Sequence, residues 1–179
     1  WLLKQESFSS TVQERLEAMV DLTSMAVEAG RRIAHRLRPA VLDDLGLLEA
    51  VAWLAQDYTA RYGVESNVHV SGGAAELDPG MATALFRILQ EALTNVIRHA
   101  EAQSIAIRLD VTGDPLLMEV VDDGRGIATD DNADRPWSLG LFGMEQRAEA
   151  LGGTVEVKAG DEGGTVVRVS IPRGAADGE

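Results

Sequence analysis

Cysteine is absent from the 179 residues, which excludes disulfides and thiolate metal sites and makes a reducing, cytoplasmic setting the default. Cations are scarce as well: 16 Lys and Arg stand against 29 Asp and Glu, a formal net charge of −13. Such a chain repels a phosphate backbone on average, which argues against a nucleic-acid partner. A small polyanion still binds where local cations and helix N-termini are aimed at it. No apolar run reaches the roughly 18–20 residues that span a bilayer. The most apolar helical stretch, "LLEAVAWLAQDY", is cut by Glu49 and Asp57, so no direct membrane contact is expected of these residues. There is no signal peptide, and the chain opens on Trp1 rather than methionine, so it reads as part of a longer protein, membrane-anchored or not.

What is present is enough apolar material for a sizeable core, 45% of residues, in two differently patterned parts. The first third is helical in period. Leu16, Met19, Val20, Leu22, Met25, Ala26, Ala29, Ile33 and Leu37 form one long stripe that Pro39 ends. A single seam of that length needs a partner, so a helical hairpin or bundle is expected. "PAVLDDLG" reads as a connector, and "LLEAVAWLAQDYTARYG" as a second amphipathic helix stopped by Gly63. From residue 64 the pattern becomes strand, helix, strand, strand, loop, helix, strand, strand. The expectation is an α+β chain: N-terminal helices over 1–63, then a two-layer α/β sandwich with a mixed sheet over 64–174 and a short tail over 175–179.

Three stretches of the second part carry candidate chemistry. In "LFRILQEALTNVIRHAEAQ" a helical apolar pattern is crossed by Glu91, Asn95 and His99, every fourth residue. This is either the wet side of an amphipathic helix or the floor of a site. Asn95 offers a hard amide oxygen of the kind Mg²⁺ takes alongside phosphates and water. Glu91, one turn earlier, suits a general base or the orientation of a metal-bound water. Arg98 and His99 are placed to touch phosphate oxygens. "VVDDGRGI" reads by itself as a tight Asp-Gly turn, yet no strand returns at once and a polar loop over 128–138 follows. A carboxylate at a strand end suits the exocyclic amine of adenine, whereas guanine presents an acceptor there. In "SLGLFGMEQRAEALGG", Gly140 and Gly143 straddle a helix start, where unpaired N–H groups and the helix dipole favour phosphate; a flexible helix entry reads the same way.

Taken in order, the three resemble the motifs of the ATP-binding domain shared by gyrase, MutL and sensor histidine kinases, the GHKL fold. "EALTNVIRHA" is similar to the N box, "DDGRGI" to the G1 box and "GLFGM" to the G2 box; "GGTVVRVSIP" resembles the closing strand. Further forward, "RRIAHRLRPAVLDDLGLLEAVAWLAQDY" resembles the second dimerisation helix and connector of sensor kinases of the nitrate/nitrite-sensor type. One departure stands out: Ser138 occupies the place of the usual first glycine of the G2 box.

The resemblance implies that Glu91 is the base or water-orienting residue, Asn95 the Mg²⁺ ligand and Asp122 the adenine reader supported by Thr165. Gly124 and Gly126 would shape the pocket wall. Gly140, Leu141 and Gly143 would line the phosphate side, with Arg98 and His99 nearby. It further implies ATP and Mg²⁺, a homodimer through the N-terminal helices, and phosphoryl transfer to a histidine and then to a response regulator with a helix-turn-helix output domain. The phosphoacceptor segment, a histidine followed by an acid, does not occur in these residues. His35 is followed by Arg36 and has no adjacent acid, so it is not expected to be the acceptor. Two rival readings share the fold: a nucleotide-binding module that transfers nothing, and a serine kinase of the anti-sigma-factor kind, which would not need the paired helices.

Overall fold

The computed structural model describes residues 39–73, 77–126, 138–161 and 163–173, together with Met19. By contacts the chain divides into residues 1–38 and 39–179, and the elements below all belong to the second unit. Apart from Met19, which is exposed, the expected helical stripe lies outside the described residues, as do His35 and the polar loop up to residue 137.

The second unit begins earlier than the sequence pattern suggests. Helix α1, Ala40–Tyr62, runs through the stretch read as a connector; Gly46, at φ 76° and ψ 174°, kinks it instead of ending it. Leu42 is buried before the kink, and Leu47, Ala50, Val51, Leu54 and Ala55 are buried after it, so both parts are anchored in one core. The contact boundary therefore falls at Pro39 rather than Gly63. The helix assigned to the dimerisation segment packs within the sheet-bearing unit, against β1 and α2. Gly63 does end it, at φ 73° with its N–H bonded to the Thr59 carbonyl.

Five strands follow: β1 Glu65–Ser71, β2 Ser104–Asp110, β3 Leu116–Asp122, β4 Thr154–Ala159 and β5 Thr165–Ile171. Their order is β1-β2-β3-β5-β4, with β1 and β2 parallel and the other pairs antiparallel, the mixed sheet expected. Alternation sends Ile105, Ile107 and Leu109 of β2, Leu116, Met118 and Val120 of β3, and Val167, Val169 and Ile171 of β5 to one buried face. Helix α2, Pro79–Asn95, covers that face, with α1 on one side and α3, Ser138–Glu149, on the other. Asp78 caps α2: its Oδ1 accepts from the N–H groups of Gly80 at 2.8 Å and Met81 at 3.1 Å, and Pro79 supplies a first-turn residue with no N–H to satisfy. Eight buried side chains between Met81 and Leu93 make α2 the centre of the layer. On the open face Glu119 accepts from Arg108 at 2.7 Å and from Arg168 at 2.6 Å, tying β2, β3 and β5 together. That pairing holds the Glu119 carboxyl below its usual pKa. Among the described residues no helix is long and apolar enough to cross a membrane.

Candidate nucleotide site

The chemistry-bearing residues gather at one end of the sheet, where β3 ends, β5 begins, α2 ends and α3 begins. The period-two burial of β3 continues to its last residue, which places Asp122 on the inner face at 5% exposure. Asp123, one residue on, points the other way. Its carboxylate accepts from the N–H groups of Gln103 and Ser104 and from the Ser104 hydroxyl, at 2.8–2.9 Å, pinning the start of β2. The two adjacent acids of "DDGRG" are thus separated by the strand pleat into a buried one and a structural one.

Asp122 Oδ1 accepts from the Gly124 N–H at 2.9 Å. Burial pushes its carboxyl above the usual pKa, while that bond and the neighbouring Thr165 pull the other way. The Thr165 hydroxyl is buried and close enough to favour the carboxylate, yet Oγ1 has no hydrogen-bond partner of good geometry among the described residues. A buried carboxylate beside a buried, unsatisfied hydroxyl is an unfinished polar pair that a ligand presenting both a donor and an acceptor would complete. Adenine presents both on adjacent atoms of its edge.

Glycines let the backbone close around this pair. A side chain on Gly124 would collide with the backbone and Cβ of Ala100, and the Arg125 N–H donates to the Ala100 carbonyl at 2.8 Å. The loop after β3 is thereby fastened to the end of the α2 region. Gly164, at φ 72°, lies so close over the Asp122 carbonyl that a Cβ there would strike it and stand 2.6 Å from its carbon. Gly163 also has positive φ, 102°, but faces open space. Gly164→Ala is therefore expected to cost about 3 kcal/mol or more, overpacking added to strain, and Gly163→Ala only the strain, about 1–2 kcal/mol. Urea unfolding of both variants checks this; equal midpoints would contradict the close approach.

Helix α2 ends at Asn95 and gives way to a π turn, Val96–Ala100, closed by Glu101 at φ 55°. π turns recur at functional sites because they reset the helical register. The expected stripe is thus not one continuous line: Glu91 and Asn95 share the α-helical face, and His99 follows after the break. Glu91, Asn95 and His99 are half-buried and Arg98 is exposed. Gly140 faces Glu91 directly, since a Cβ at 140 would collide with Oε1 and stand 3.2 Å from Cδ. Helix α3 already begins at Ser138, so Gly140 and Gly143 lie inside its first two turns instead of straddling its start. Gly140 is among the first residues, whose N–H groups have no helical partner; Gly143, a turn further, is not. Leu141 is half-buried and packs on the core. Sequence reading missed Arg147, whose guanidinium donates to the Gly143 carbonyl, and Gly164, whose only signal was the Gly-Gly pair ahead of Thr165.

Residues 80–175 match the family described as "Histidine kinase-, DNA gyrase B-, and HSP90-like ATPase". The chain belongs to this family of ATP-binding domains. Among similar proteins, the oxygen sensor histidine kinase NreB of Staphylococcus carnosus is 30% identical over 96% of this chain and 49% of its own length. The sensor histidine kinase MctS of Rhizobium johnstonii is 35% identical over 87% of this chain and 34% of its own length. The histidine kinase domain of the Erythrobacter litoralis EL346 blue-light activated histidine kinase is 27% identical, with a TM-score of 0.55 over 68% of this chain and 58% of that one. The chain spans half or less of the length of the curated relatives it matches. What this ATPase-family fold holds at the sheet end is the arrangement described above: a buried acid and hydroxyl under a glycine loop, facing a helix that carries Glu91 and Asn95.

Proposed function

We propose that the chain is the ATP-binding catalytic part of a two-component sensor histidine kinase. It would pass the γ-phosphoryl group of ATP to a histidine outside the described residues, from which a response regulator takes it. The buried Asp122–Thr165 pair carries this reading, because its donor and acceptor demands match the adenine edge and leave guanine's oxygen facing a carboxylate. The names of the relatives support the kinase half. The adenine would lie against the Asp122–Thr165 pair, with the phosphates running toward α2 and the first turn of α3.

Asn95 would hold Mg²⁺ through its amide oxygen, and the metal when bound neutralises charge on the phosphate oxygens. Glu91 orients the attacking imidazole or takes its proton; Gly140 offers its N–H to the phosphates, and Arg98 and His99 add positive charge near them. The imidazole nitrogen forms the N–P bond while the bond from the γ-phosphorus to the bridging oxygen breaks, and ADP leaves with that electron pair. Positioning and charge neutralisation do most of the work. The dimer would form through the N-terminal helices, and the regulator would carry a helix-turn-helix output domain. Labelled ATP with the full-length protein tests the proposal: an acid-labile, base-stable label on a histidine is expected, and nucleotide binding without label would favour a switch module instead. The 179-residue chain alone is expected to take no label at His35, for want of an acid to hold the imidazole tautomer. A label removed by His35→Gln would overturn that placement.

A further inference from the structure

We propose that Arg147 is a positioning residue for phosphoryl transfer, clamping the first two turns of α3 and holding Glu91 against Gly140 in its working orientation. The proposal rests on reading Glu91 as acting on the reacting groups. The Glu91 carboxylate occupies the space a Cβ at 140 would take, so any side chain there would displace it. The position of the carboxylate is therefore set by where the first turn of α3 lies. Arg147 braces the turn that follows Gly140: its guanidinium reaches back and donates to the Gly143 carbonyl, and a Cβ at Gly143 would stand 3.0 Å from its Nη1.

Burial lowers the Arg147 pKa, and the charge of Glu91 pulls it back up. Arg87, one turn before Glu91, is in turn lowered by burial and by the charge of Arg147. A half-buried cation is costly unless an anion stands near, and the charge of Glu91 acts on it in the favourable sense. The planar fork of arginine suits both tasks, one N–H group on a carbonyl and the rest of the charge toward a carboxylate. Lysine keeps the charge and loses the fork. Arg147 itself touches no reacting group in this account and acts through Glu91.

Initial rates of transfer from labelled ATP in the full-length protein test this. Arg147→Ala is expected to lower kcat by about tenfold or more and to change KM for ATP by less than about threefold, since orientation is lost and binding is not. Arg147→Lys is expected to fall between. The deciding measurement is the double variant: Glu91→Gln with Arg147→Ala should be no slower than Glu91→Gln alone, because the arginine acts through the glutamate. Losses that multiply in the double variant, or an Arg147→Ala enzyme with normal kcat, overturn the proposal. So does a raised KM at normal kcat, which would mean contact with nucleotide. If Arg147→Ala does not fold, the same cycle with Arg147→Lys decides. Wild-type protein that transfers no label would overturn the kinase reading and this role together, whereas labelled wild type with multiplying losses overturns only the role of Arg147.

Discussion

Asp122→Asn is expected to weaken ATP binding by at least about tenfold while leaving the apo protein folded and no less stable at neutral pH. Two effects separate here. An amide in place of the carboxylate turns one acceptor into a donor facing the adenine amine. Losing a charged hydrogen bond and leaving its partner buried costs on the order of 1.5–3 kcal/mol. The apo protein has no such loss. Burial raises the Asp122 pKa in the folded chain, so the ionised form is disfavoured there relative to the unfolded chain at any pH above the folded pKa. A neutral isostere removes that penalty, and its amide oxygen still accepts from the Gly124 N–H. GTP should bind the wild type far more weakly than ATP, because its oxygen would meet the carboxylate. Calorimetry and thermal unfolding on the same samples check both halves. Unchanged ATP affinity in Asp122→Asn would remove Asp122 from the adenine site.

Asn95→Ala is expected to reduce metal-dependent phosphoryl transfer by about a hundredfold or more, well beyond its effect on nucleotide affinity. A clamp on developing charge contributes most in the transition state, and removing one preorganised electrostatic contact commonly costs 10²–10³ in rate. Alanine is a good helix former and Asn95 is half-buried, so the variant is not expected to unfold. The measurement is labelled transfer in the full-length protein over a magnesium titration, beside nucleotide affinity in the same buffer. Equal rates for variant and parent would take Asn95 out of the site.

The mixed sheet with helices on one face was legible because its strands alternate strictly and glycines mark the turns. The three stretches singled out in the sequence meet at one end of the sheet. Where reading from sequence fell short, the cause was each time something the chain does not carry locally. The stretch 39–46 reads as a connector, but Leu42 and Leu47 enter the same core and the helix runs through Gly46 with a kink. The i, i+4 stripe assumes 3.6 residues per turn, and the π turn after Asn95 breaks that assumption without any glycine or proline to announce it. Asp122 and Asp123 are alike in composition; only the phase of β3 tells which one is buried. Arg147 falls on a short, weakly amphipathic helix, and its reach to Gly143 and toward Glu91 depends on how α3 meets α2.

The Gly164 contact with the Asp122 backbone ties the proposed adenine site to strand order. β3 and β5 are sheet neighbours, yet β4 and helix α3 lie between them along the chain. The last turn before β5 must therefore be in register before the Asp122 backbone is packed. A partly assembled sheet would offer the carboxylate on a bare edge, open to water and without Thr165. Nucleotide affinity then belongs to the completed sheet rather than to any fragment of it. Bound nucleotide should accordingly slow exchange of β5 and β3 amides in step, as one cooperative unit, instead of rigidifying a loop alone.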